Sequence, residues 1–90
     1  MRFCEQLNEY ITRLDCRGKE LAEAAGLSAP SLSRYRTGER TPGRGSAVLT
    51  ALSDALADMA KAKALPDMDA DTLYSAFLRC DEYAGTDRKM

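Results

Sequence analysis

Histidine is absent from the 90 residues. That excludes histidine-based triads, histidine general bases and most zinc sites. Cysteine is scarce: Cys4, Cys16 and Cys80 are an odd number with no C-x-x-C pair, so neither a disulfide framework nor a paired-cysteine metal site is expected. Two of the three fall at apolar positions of predicted helices, the pattern of buried, reduced thiols. No apolar run approaches the roughly 18 residues of a membrane span. The start, Met1-Arg2-Phe3-Cys4-Glu5, has no long apolar core of the secretory type, which predicts a cytoplasmic protein. β-Branched residues are few and no stretch alternates with period two, so strands are not expected. What is present is ordinary globular composition, 44% hydrophobic and 30% charged. Disorder is thereby excluded, and the length suits one small core and not two.

The formal charge of −1 carries no global basic signature, which by itself argues mildly against nucleic acid. The charges are unevenly spread. Residues 28–45 hold Arg34, Arg36, Arg40 and Arg44 against Glu39 alone, whereas residues 65–90 hold six acids against three bases. A basic middle followed by an acidic end confines the positive field to one short stretch.

Helical periodicity dominates. Phe3, Leu7, Ile11 and Leu14 form the apolar face of a first helix over about 3–15, broken at Arg17-Gly18. A short second helix over about 18–25 offers Leu21, Ala22 and Ala25 for packing, and Gly26 supplies a left-handed stop. Ser28 reads as an N-cap, Pro30 falls in the first turn where no N–H is needed, and Gly38 closes a third helix over about 29–37 with Leu32 and Tyr35 inward. After a loop rich in Gly, Pro and Arg, Ser46 opens a fourth helix over about 46–63, with Leu49, Leu52, Leu56 and Met59 inside. Asp69 or Asp71 opens a fifth over about 70–83, with Leu73, Phe77 and Cys80 on one stripe. Residues 1–84 are thus expected to form one compact all-α, five-helix domain, followed by a flexible tail over 85–90.

Two short helices joined at Gly26, the second capped by Ser28, have the pattern of a helix-turn-helix. Such a motif needs a small Ala22 under the crossing helix, a left-handed Gly26, and Leu21, Leu32 and Tyr35 in the wedge between helices. The strings Lys19-Glu20-Leu21-Ala22-Glu23-Ala24-Ala25-Gly26-Leu27-Ser28 and Ser31-Leu32-Ser33-Arg34-Tyr35-Arg36-Thr37-Gly38-Glu39-Arg40-Thr41-Pro42 resemble the helix-turn-helix of Cro/C1-type regulators, the lambda-repressor-like or xenobiotic-response-element family. The close match runs over about 17–42. The first and fourth helices agree with that family's five-helix domain.

The resemblance implies double-stranded DNA binding with the third helix in the major groove, and a transcriptional regulator of the repressor type. It points to Ala29, Pro30, Ser33 and Arg34 at base edges. Gly18, Lys19 and Ser28, at the starts of the second and third helices, are implied to meet phosphate, as are Arg36, Thr37, Arg40 and Arg44 in and after the third helix. Two departures stand out. Ala29 and Pro30 replace the usual glutamine and offer only an apolar contact, for instance to a thymine methyl, leaving Arg34 as the side chain for a bidentate bond to guanine. Arg17-Gly18 stands where a Ser or Thr cap followed by Gln is common.

On the fifth helix Leu73 and Phe77 make one stripe, and Tyr74 and Leu78 a second about 100° around. One stripe suffices to cap a small core, so Tyr74, Phe77 and Leu78 are expected at a homodimer interface, unless the whole wide face is buried within the domain. Alternative functions are an antitoxin-like or other protein-interaction module, or the N-terminal DNA-binding domain of a longer regulator. Catalysis is not expected, since no nucleophile–base pair or metal-ligand cluster is visible. Gly43-Arg44-Gly45 lacks the preceding strand of a phosphate-cradling loop. No cofactor, small-molecule ligand or membrane contact is evident.

Overall fold

The computed structural model describes residues 1–65 and 68–84; the expected tail over 85–90 lies outside these. The apolar repeat of the N-terminal segment winds into α1 (Phe3–Leu14), with Phe3, Leu7, Tyr10, Ile11 and Leu14 all buried. Its start is held by the Glu5 carboxylate, which accepts the Arg2 N–H at 2.8 Å. It ends where Asp15 turns left-handed at φ 52°. The same device opens α2 (Gly18–Ala25), whose Glu20 accepts the Arg17 N–H at 2.8 Å. Gly26 stops α2 at φ 73°, and the Leu27 N–H returns to the Ala22 carbonyl at 2.8 Å.

Three later helices begin on side-chain caps. Ser28 Oγ accepts from the Ser31 N–H at the head of α3 (Ala29–Thr37), and Ser46 Oγ from the Leu49 N–H at the head of α4 (Ala47–Ala62). Asp69, not Asp71, caps α5 (Ala70–Leu78), accepting the Thr72 N–H at 2.7 Å. Each bond satisfies one of the donors that a helix start leaves unpaired.

Among the described residues the domain is mostly helical and strand-free, with six helices where five were expected. The fifth expected helix does not run unbroken to 83. It pauses at Arg79–Cys80 and resumes as α6 (Asp81–Ala84). The cause is non-local: the Asp81 N–H donates to the Met1 carbonyl at 2.9 Å, and the Phe3 N–H donates to the Glu82 carboxylate at 2.8 Å. The N-terminal segment thereby takes a bond that a continuous helix would have kept for itself.

Helix α4 packs against α1, α2 and α5, and its Leu49, Leu52 and Leu56 are fully enclosed. Met59, expected inside, is half-buried at the edge of this core. The buried Ser53 donates to the Leu49 carbonyl at 3.0 Å, so no unpaired polar group is left there. Phe77 stacks obliquely on Phe3 with ring centroids 4.9 Å apart and meets the edge of Tyr10 at 5.6 Å. Tyr83 meets Phe3 edge-on at 6.2 Å. No helix among the described residues is long and apolar enough to cross a membrane.

Candidate nucleic-acid interface

Helices α2 and α3 meet at the turn through Gly26 and Leu27. The two helices pack together, and Leu21, Ala22, Leu32 and Tyr35 are all buried in the core. With Leu32 and Tyr35 turned inward, Ala29, Pro30, Ser33 and Arg34 occupy the opposite, solvent-exposed face of α3. All four residues expected at base edges are therefore accessible and share one helix face.

The start of α2 and the length of α3 flank an open cleft of about 510 Å³ lined by eight residues. Six of them, Gly18, Lys19, Ala29, Ser33, Arg36 and Thr37, are residues for which DNA contact was expected. The other two are Leu32, which forms its floor, and Asn8 from α1. Asn8 was not foreseen: α1 was read for its apolar face, and no local signal marks a polar partner on another helix. Its amide pairs reciprocally with Arg36, Nδ2 donating to the Arg36 carbonyl and Oδ1 accepting from Arg36 Nε, each at 2.8 Å.

Several expected phosphate contacts carry a structural duty as well. Ser28 Oγ takes the Ser31 N–H at 3.2 Å and donates to Ser31 Oγ at 2.9 Å, so its hydroxyl proton is already engaged. Thr37 Oγ1 donates to the Arg34 carbonyl at 3.2 Å and closes the end of α3. Arg40 and Arg44 are exposed in the loop between α3 and α4. That loop is folded back by the Arg40 N–H on the Arg34 carbonyl, 3.2 Å, and held from the far side by Tyr83, whose hydroxyl donates to the Pro42 carbonyl at 2.8 Å. Among the described residues no carboxylate lies within 4 Å of Arg34, Arg36 or Arg40.

A larger recess, about 800 Å³, lies between the end of α4 and the start of α5 and shares no residue with the first. Among the described residues Asp54, Asp58 and Asp69 line it against Lys61, the wrong sign for a phosphate backbone. The expected dimer residues fare differently from the α3 face. Phe77 is completely enclosed in the core and offers no surface to a partner, a correction to its expected place at an interface. Tyr74 and Leu78 are half-buried, packed against the domain's own core. The wide apolar face of α5 is thus largely absorbed within the domain. The three cysteines are unpaired, and burial, followed by the nearby Glu82, pushes the Cys80 thiol up to about 11, so it is a neutral thiol at ordinary pH. No family model, curated protein or solved structure matches this chain.

Proposed function

We propose that the chain binds double-stranded DNA as a transcriptional regulator of the repressor type, with α2 and α3 acting as a helix-turn-helix of the Cro/C1 kind. The observation that carries this reading is the cleft between the start of α2 and the length of α3, most of whose lining consists of residues implicated by the sequence motif. The start of α2 favours an anion because its N–H groups and dipole point outward, and the Arg36 and Lys19 charges add to that field. The exposed face of α3 supports base contact. Arg34 there is the side chain with the bidentate geometry that guanine requires. Arg40 and Arg44 extend the cationic surface along the following loop.

In this reading the phosphate contacts provide affinity and register, and Arg34 provides most of the discrimination. With four to six phosphates engaged per subunit, log K falls with log salt at a slope of about −4 to −5. A pair of copies places two α3 helices about one helical turn apart, roughly 34–36 Å. Selection of bound fragments from a random duplex library at about 150 mM salt tests the proposal. Enrichment of an inverted repeat at that spacing supports a paired regulator. No enriched motif, from protein shown to be folded, sinks sequence-specific binding and favours the protein-interaction alternative.

A further inference from the structure

Arg36 is half-buried, yet no carboxylate among the described residues lies within 4 Å of it. It lies against the first residue of α2: a Cβ on Gly18 would come within 2.8 Å of its Nη1. A guanidinium placed beside a helix start puts like-signed charge together, an arrangement that gains nothing inside the domain and is relieved by an anion. Left to itself, a flexible arginine would swing away into water. What holds it is Asn8, whose two 2.8 Å hydrogen bonds engage both the Arg36 backbone carbonyl and its Nε. The bond to the carbonyl fixes which way the amide points, so that Oδ1 faces Nε. Only one of the five guanidinium donors is used in this way.

We propose that Asn8 is a positioning residue for the phosphate-binding cleft: it holds the Arg36 guanidinium over Gly18 so that its charge and remaining donors serve a DNA phosphate. This deepens, and rests on, the DNA-binding reading above. Asn8 itself need not touch DNA. A neutral amide suits the task because it accepts from Nε without cancelling the charge, which a carboxylate at the same place would do.

The test uses the full chain and a mixed-sequence duplex of about 30 base pairs, long enough for two half-sites. Affinity is measured across a salt series for the wild type, Asn8→Ala, Asn8→Asp, Arg36→Ala and the Asn8→Ala/Arg36→Ala double variant, each checked for helical content. Arg36→Ala is expected to flatten the slope of log K against log salt by about 0.9, one phosphate's worth. Asn8→Asp should flatten it equally, although it retains an acceptor for Nε. Each Asn8 variant should weaken binding about tenfold, the worth of one charge-assisted hydrogen bond. Asn8→Ala should cost nothing further once Arg36 is gone, because it adds no charge to the cleft. If the Asn8 variants keep the wild-type slope and affinity, or if the Asn8→Ala loss adds to that of Arg36→Ala, the positioning role is overturned while DNA binding stands. If Arg36→Ala leaves the slope unchanged, Arg36 meets no phosphate and the proposal falls. If the wild type binds no duplex even at low salt, the DNA-binding reading fails and takes this proposal with it.

Discussion

The Tyr83 hydroxyl donates to the Pro42 carbonyl at 2.8 Å, joining the last described turn of the chain to the arginine-bearing loop between α3 and α4. Both residues are buried. Tyr83→Phe keeps the ring against Phe3 and removes only the donor, leaving a buried carbonyl unpaired. The expected cost is about 1–3 kcal/mol, read as a lowered urea midpoint. Amides of Arg40 to Gly45 should also exchange faster with solvent. Unchanged stability and exchange would show that the loop holds itself.

Burial, with Glu82 as the next cause, raises the hydroxyl of Tyr83 well above the ordinary phenol range and the Cys80 thiol from 9.0 to about 11. For both groups the folded state keeps a proton that the unfolded chain has already released. Their contribution to stability is therefore complete below the unfolded values and is lost as pH rises through the folded ones. The urea midpoint should fall between pH 9.0 and about 11, and Cys80→Ala should make that fall shallower. A midpoint that is flat or rising over this range would contradict the burial of these groups.

Gly26 and Gly38 both end helices at positive φ, 73° and 85°, but their surroundings differ. A Cβ on Gly26 meets nothing within 4 Å, so Gly26→Ala should cost only the left-handed backbone penalty of about 1–2 kcal/mol. A Cβ on Gly38 would lie 2.8 Å from Arg2 Nη2 and 3.2 Å from the buried Cys4 Sγ. Arg2 can move aside, but Cys4 is packed in α1, so Gly38→Ala should be the more destabilising of the two in urea unfolding. Equal losses would mean that α1 yields freely at Cys4.

Phe77 bridges Phe3 and Tyr10 in the core. Phe77→Ala should therefore cost about 3–5 kcal/mol, a large share of the roughly 5–15 kcal/mol available to a domain. The result should be a strongly lowered urea midpoint with sedimentation unchanged. A variant that stayed fully folded but changed its sedimentation would return Phe77 to an interface.

Arg34→Ala should flatten sequence preference by about 1–3 kcal/mol at one base pair while leaving most non-specific affinity intact. Binding to duplexes that differ at single positions checks this. An equal loss on every sequence would make Arg34 a phosphate contact instead.

Helix positions were legible because their signals are local. Ser28 and Ser46 each bond an N–H three residues ahead, and Gly26 and Gly38 each stop the turn they follow, whereas the choice of Asp69 over Asp71 came from the structure. The exposed face of α3 was legible for the same reason: once Leu32 and Tyr35 are inside, helical geometry turns Ala29, Pro30, Ser33 and Arg34 outward. The apolar stripes of α5 were harder to read. Tyr74, Phe77 and Leu78 look alike in the pattern, and only the packing of α1 and α4 against α5 shows that Phe77 is enclosed and its neighbours half-covered.

Sequence alone, then, determined the helical class, the Ser28 and Ser46 caps, the stops at Gly26 and Gly38, and the residues that share the outer face of α3, since each depends on neighbours within about one helical turn. Tertiary structure decided the rest. Asn8 reaches Arg36 across 28 residues, Tyr83 reaches Pro42 across 41, and Asp81 breaks α5 from α6 by bonding to Met1 across 80. Hydrogen bonds depend on distance in space, and no periodicity along the chain records which distant residues the core will bring within 3 Å of one another.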